Sequence, residues 1–556
     1  MKRGGRSLVS SPPAFSNDAK KLRVSTISNA TGLQTEDAET EDDLETSGTD
    51  EDDDLTVCGP STVATSSFTK RVEYKLSKVE ADDLSKKKWK YTWEVPAADI
   101  SNCKWVGTGE CFLKDDDLSS NYGLKQKLYK HWLDVYKTSG GNDFHSSKQR
   151  WFFSLCNSYR DILHGEKKPF YHKGLEEDSN IMDAYLMHSL NHIFRTRDLV
   201  RKNNAKIDKH QMNGKEEILP GDNFLDQGFT RPKILILLPL RSIALRVIER
   251  LIQLTPANSK VNVEHIDRFY KDFGSEEVSS DEEEEQSKNA KTKKPSKPSD
   301  HQSLFKGDTR DDFMIGIKFT RKTIKLYGDF YSSDIIVASP LELMTKFGKA
   351  EKNKDTDYLS SIEVVIIDHA DVISLQNWSF LTSVVERLNH IPSKQHGTNV
   401  MRIRPWYLDG FARFYRQTII LGYYLNPDMN ALFNHHCVNY QGKVKSVREH
   451  RGVLPKVLSQ VRQIYERFDA SSIADVDDAR LEYFEKKIRG IRNLIIYSLP
   501  ERKEFYYEIV NMLEGSDDLA CTVLFSQYDK LQLERIVGTA TAKRMIKSEK
   551  GVFVFC

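Results

Sequence analysis

The sequence predicts an α/β protein: one lobe built on a parallel sheet covered on both faces, a second and smaller lobe of the same kind, and charged disordered segments. Three observations lead there. Short apolar, β-branched runs recur without period-two alternation, as in RPKILILLPL, SDIIVASP, IEVVIID and RQTIIL, and each is followed by a stretch of helical length. The chain has 556 residues with 39% hydrophobic content, enough for two or three domains. Its net charge of +1 hides strong segregation: acid gathers in Thr35–Asp54 and Ser279–Glu285, base in MKRGGR and Lys288–Pro298.

Residues 1–68 are rich in Ser, Thr, Asp and Glu with few aromatics, so they predict a disordered acidic tail. Residues 69–165 predict a helical N-terminal region, in which LKQKLYKHWLDVY spaces Leu124, Leu128, Trp132 and Tyr136 along one helix face. Residues 166–455 form the first lobe. It opens on a helix beginning near Ile181 behind Ser179, and is interrupted by a charged disordered insertion at 274–303. Residues 456–556 form the second lobe, where NLIIYSLP, CTVLFS and VFVF read as strands. About a hundred residues fall short of the roughly 150 that such a lobe usually takes, so it is expected to be incomplete.

Seven cysteines are scattered without a C-x-x-C spacing, which fits a reduced compartment and gives no disulfide framework. FNHHCVNY offers adjacent His435, His436 and Cys437 with no second pair, so no metal is expected. No apolar run is long enough to cross a bilayer, and a soluble intracellular chain with no membrane partner is expected.

In a parallel sheet the working residues stand at the carboxyl ends of the strands. Those ends read PLR (Pro239–Arg241), SPLEL (Ser339–Leu343), DHAD (Asp368–Asp371) and GYY (Gly422–Tyr424). In order and spacing they resemble the first lobe of a DEAD-box helicase, which implies a RecA-like sheet and a degenerate nucleotide site around Asp178, Asp368, His369 and Asp371. His369 stands where that family has the Glu that prepares water, and Arg492 stands where its second lobe has Asp. GLEEDSN (Gly174–Asn180) stands where a phosphate-binding loop is expected and has no Lys-Ser/Thr pair. Its acids, Glu176, Glu177 and Asp178, would repel a triphosphate by on the order of 4 kcal/mol at 4 Å. The H-R-I-G-R-type arginine segment is replaced by YYEIVNML. No cofactor and no enzymatic activity are therefore expected.

RNA contacts in such a lobe need donors and positive charge. The candidates are Arg241, the KFTRKTIK residues Lys318, Arg321, Lys322 and Lys325, and Arg402, Arg404 and Trp406 in RIRPWY, where base and aromatic residues interleave. Each stretch also fits a solvated face. Ser279 and Ser280 precede a run of acids and are candidate phosphorylation sites, each adding roughly two charges.

The whole ordered chain resembles the digestive-organ expansion factor family, the helicase-like, U3 small nucleolar RNA-associated subunit of the small-subunit processome. The stretches that carry the resemblance are GTGECFLKDDD, SNIMDAYLMHSLNHIFRTRD, QNWSFLTSVVERLN, RIRPWYLDGFARFYRQTIIL and GIRNLIIYSLP. It implies a nucleolar, nuclear protein without an ATP site. Its implied partners are pre-ribosomal RNA, a box C/D snoRNA particle and processome proteins, and its role lies in early rRNA processing. An ATP-dependent RNA helicase and a protein-only nucleolar scaffold are the alternatives. In that family further second-lobe strands intervene where this chain runs directly from Lys487 into Ile488.

Overall fold

The computed structural model describes residues 66–97, 100–113, 124–139, 147–170, 179–212, 224–274, 304, 307–348, 356–487, 494–513 and 519–555. Two sheets organise them. The larger has eleven strands: β1 (Trp93–Pro96), β2 (Cys103–Gly107), β3 (Asp161–His164), β4 (Ile234–Leu237), β5 (Asn262–Glu264), β6 (Met314–Phe319), β7 (Thr323–Leu326), β8 (Ile335–Ala338), β9 (Val364–Ile367), β10 (Gln417–Leu421) and β11 (Lys443–Arg448). Their spatial order is β1-β2-β11-β3-β10-β9-β4-β8-β6-β7-β5. The six strands from β11 to β8 are mutually parallel. β3 lies between β10 and β11, and β4 between β9 and β8, the doubly wound arrangement of a RecA-like lobe.

The missing alternation in these strands now has a physical reason. Ile234, Ile236, Ile335, Val337, Val364 and Ile366 belong to the core on one face of the sheet. Their neighbours Leu235, Leu237, Ile336, Ala338, Val365 and Ile367 belong to the core on the other. Every second residue is thus apolar for a different partner. The first core is closed by the helices Gln126–Ser139, Ser179–Met212 and Arg241–Leu254, the second by Pro340–Gly348, Trp378–Arg387 and Pro427–His435. Leu124, Leu128, Trp132 and Tyr136 are all buried, as their spacing predicts.

The N-terminal region is part of this lobe rather than a separate helical unit. It supplies β1, β2 and the central strand β3, so the boundary expected at 165/166 cuts through the sheet. The described chain begins at Ser66, whose hydroxyl caps the Ser67–Glu73 helix. From that helix Arg71, fully buried, reaches Glu363 at the amino end of β9. Glu363 also accepts from Arg404 (3.1 Å) and Tyr407 (2.7 Å), with Lys233 at 3.7 Å and His192 at 3.4 Å. Burial alone would raise the Glu363 pKa, but the surrounding cations outweigh it and hold the carboxyl well below its usual range.

The second sheet has the order β13-β14-β12-β15, where β12 is Arg462–Arg467, β13 Leu494–Ile496, β14 Ala520–Phe525 and β15 Val552–Phe555. β12 is not among the expected strands; its polar residues Arg462, Gln463 and Glu466 disguise it. Helices Lys503–Asn511, Lys530–Val537 and Thr539–Lys547 cover one face through Tyr506, Val510, Leu533, Ala542 and Met545. The two lobes are sewn together where the linker passes the Lys530–Val537 helix. Val453 N–H donates to Ile536 O (2.7 Å), Thr539 N–H to His450 O (2.9 Å) and His450 N–H to Thr539 Oγ1 (2.9 Å). The approach is so close that a Cβ on Gly452, at φ +81°, would lie 2.7 Å from Gly538 N.

Candidate functional site: a sealed strand end

β9 is four fully buried residues, and it delivers Asp368 to the carboxyl edge of the sheet. His369 follows in the left-handed region (φ +55°) and turns the chain into the short helix Ala370–Ile373. That turn points the Asp368 carboxylate back under the loop after β3. There Lys167 Nζ donates to both oxygens, at 2.5 and 2.6 Å. Tyr185, from the Ser179–Met212 helix, donates its hydroxyl to Oδ2 (2.8 Å), and His369 N–H donates to Oδ1 (2.8 Å). Four donor contacts fill the acceptor capacity of one carboxylate.

The electrostatics agree with the geometry. Burial of Asp368 would raise its pKa, yet Lys167 and His369 outweigh burial and hold it far below the usual carboxylate range. The group is therefore a permanent anion matched by an internal cation. In a phosphoryl-transfer site that countercharge comes from magnesium and a loop of backbone N–H groups around the phosphates. The hollow beside it, lined by Lys167, Lys168, Phe170, Met182, Arg246 and His369, has about 10 Å³ open to the centre of a water molecule. That is room for a water. Asp371 is turned away, its Oδ1 accepting Tyr423 N–H at 3.1 Å, and it is buried. The structure thus brings Asp368, His369 and Asp371 to one strand end, while Asp178 and the four residues before it, from Gly174, lie outside the described residues.

Two residues of this site are absent from the sequence candidates. With β3 unrecognised, the loop expected at the site falls at Gly174, and Lys167, three residues past the strand, is passed over. The available signal is the KK pair shortly after the short run DILH. Tyr185 falls within the helix expected to begin near Ile181, in the Ser179–Met212 span.

Of the RNA candidates, RIRPWY is corrected. Arg404 and Trp406 are 1% and 5% exposed, Arg404 on Glu363 and Trp406 stacked on Tyr415 at 4.3 Å. Arg402 is engaged with Asp226 at 2.6 and 3.0 Å and with Asn204 at 2.7 Å. Interleaved base and aromatic residues describe a buried cation–aromatic cluster as well as a stacking surface, and here the rings fill a small core. Arg241 opens its helix but commits its guanidinium to Asp312 (3.0 Å) and to the carbonyls of Asp272 and Asp312. Lys318, Arg321, Lys322 and Lys325 share one hairpin, β6–β7. Ser279 and Ser280 lie outside the described residues. Among the described residues no group of His, Cys, Asp and Glu is placed to hold a metal ion, and no helix is long and apolar enough to cross a membrane.

The family model "UTP25, NTP hydrolase-like domain" matches residues 159–444, and "Utp25, C-terminal domain" matches 486–555. Protein NUCLEOLAR FACTOR 1 of Arabidopsis thaliana is 55% identical over 622 aligned residues, covering 94% of this chain and 82% of that protein. U3 small nucleolar RNA-associated protein 25 of Pyricularia oryzae is 34% identical, covering 68% of this chain and 62% of its own length. The Homo sapiens homolog of that protein is 32% identical, covering 80% of this chain and 68% of its own length. On both domain matches and on these relatives, the chain belongs to the UTP25 family.

Proposed function

We propose that this chain is a non-catalytic subunit of the nucleolar small-subunit processome. In that role it holds pre-ribosomal RNA, the box C/D particle and assembly factors together during early rRNA processing. The association with U3 small nucleolar RNA and the nucleolar, nuclear location are carried over from what the names of its relatives say of them. The observation that carries the non-catalytic reading is the sealed Asp368: Lys167 occupies the position of positive charge that magnesium would need. A helicase must exchange that charge with every nucleotide, whereas a covalently attached lysine never leaves.

The test has two parts on the full chain. Titration with a fluorescent ATP analogue and magnesium is expected to give no saturable binding, and RNA-stimulated phosphate release would restore the helicase reading. Crosslinking in cells, followed by sequencing of the attached RNA, is expected to recover the ribosomal precursor's spacer or a box C/D guide RNA. Background RNA alone would leave a protein-only scaffold.

A further inference from the structure

The sheet has a second rim, at the amino ends of its parallel strands and therefore opposite Asp368. β6 runs antiparallel to β8 with Ile317 paired to Ile335, so its continuation past Phe319 projects beyond that rim. The turn there is locked by Thr320 Oγ1, which accepts Thr323 N–H at 2.9 Å. Its stem is fixed by Arg231, which joins Asp334 to Phe319 O. A rigid stem thus presents the tip residues Arg321 and Lys322, both exposed. Below them Lys318 and Lys325 are register partners on adjacent strands, with Glu264 4.0 Å from Lys325. Like charges directly opposite each other weaken a hairpin, and a bound anion relieves that repulsion.

The Ser179–Met212 helix continues the same surface. Arg197 Nη1 donates to Thr320 O at 3.2 Å, which seats the helix against the turn. Beyond that contact Arg201, Lys202, Lys206 and Lys209 are exposed, and at 1.5 Å per residue they extend the charge by about 18 Å. Residues 195–209 and 318–325 together carry ten bases and two acids, Asp198 and Asp208. Their single aromatic ring, Phe319, is fully buried.

We propose that this amino-end rim, centred on the β6–β7 turn, is a contact surface for the phosphate backbone of RNA. Its elongated charge on rigid elements fits a polyanion, and a row of Lys and Arg with no exposed ring on these two segments fits contacts to phosphates rather than a platform for stacked bases. The inference rests on the reading that the chain contacts RNA directly, and it moves that contact away from the helicase groove.

The test is anisotropy of a labelled mixed-sequence RNA strand with the full chain over a salt series. Arg321→Gln with Lys322→Gln is expected to weaken binding equally for unrelated sequences. It should also lower the slope of log affinity against log salt by about 0.7 for each phosphate no longer neutralised. Lys543→Gln with Lys547→Gln, the same charge change on the second lobe, is expected to leave both unchanged. Unchanged affinity and slope in the hairpin variant, with wild-type binding intact, overturn this surface and leave the proposed function standing. A wild-type chain that binds no RNA removes the direct-contact reading itself. If such a chain loses its particle in cells on the hairpin substitution, the occupant is an acidic protein.

Discussion

The two lobes follow one plan and are finished differently. In the first, β4, β8 and β9 are buried along their whole length between two apolar cores, and a buried carboxylate stands at each end of β9. In the second, the four strands carry three helices on one face and the Val476–Lys487 helix on the other, where Tyr483 donates to Glu466 and Val552 and Val554 of the edge strand β15 stay about half exposed. Leu458 at 85% and Met512 at 79% are more exposed still. Both lobes hold ionic groups inside, Glu363 with Arg71 and Arg404 in the first and Arg480 with Asp529 in the second. The second lobe leaves more apolar surface open beside them and leans on the junction with the first.

Four measurements test that contrast. The largest effect is expected at Glu363→Ala, which leaves the Arg71 and Arg404 guanidinium groups buried without their carboxylate. A loss of about 3–5 kcal/mol is expected in denaturant unfolding, and a loss below about 1 kcal/mol would mean that the network adds nothing to the first lobe. Next comes Arg535→Ala at the junction. Its guanidinium donates to Leu425 O (2.8 Å) across the joint and to Glu501 (2.7 Å), and lies over the Tyr424 ring. A cost of about 1.5–3 kcal/mol is expected. Hydrogen exchange should show it as faster opening of β12, β14 and β15 with β4 and β9 unchanged; equal acceleration in both lobes would mean that they unfold as one unit.

The third concerns pH. His188 is fully buried, with Nε2 2.9 Å from Gln417 Oε1. Burial, with His192 and Arg71 nearby, pushes its pKa down to about 3. The unfolded chain then binds the extra proton first. Stability is therefore full above about pH 6.5 and falls by at most about 1.4 kcal/mol per unit as pH drops below it. His188→Gln should remove that share of the slope between about pH 6.5 and 4.5, and an unaltered slope would place the acid sensitivity elsewhere. The smallest effect is expected at Val554→Thr on the exposed edge, within about 0.5 kcal/mol. A larger loss would show that this face is covered.

The parallel core is legible because four strands each combine β-branched composition with a helix-length gap. β3 is not, because DILH is short and its end residues, Asp161 and His164, are polar. In place, Asp161 accepts N–H groups from Thr418 and Asn439, and His164 faces Ser446. Such partners lie far away in sequence and leave no local pattern. The same blindness hides Lys167 while Asp368 is plain, since a motif names one member of an ion pair and says nothing of the other. RIRPWY errs in the opposite direction, because composition cannot distinguish a ring stacked on Tyr415 from one waiting for a base.

The place of β3 in the sheet also bears on how the protein is made. Both its neighbours, β10 and β11, come late in the chain: Thr418 N–H reaches Asp161 Oδ1 from 257 residues away. At roughly 5–20 residues per second of synthesis, β3 leaves the ribosome about 10–50 seconds before a partner strand exists. For that interval Ile162 and Leu163, both fully buried in the finished lobe, are a sticky segment of the nascent chain. The earliest-made strand of the sheet's parallel centre is among the last to be paired, so the lobe's passage through synthesis is timed by translation rather than by the stability it finally reaches.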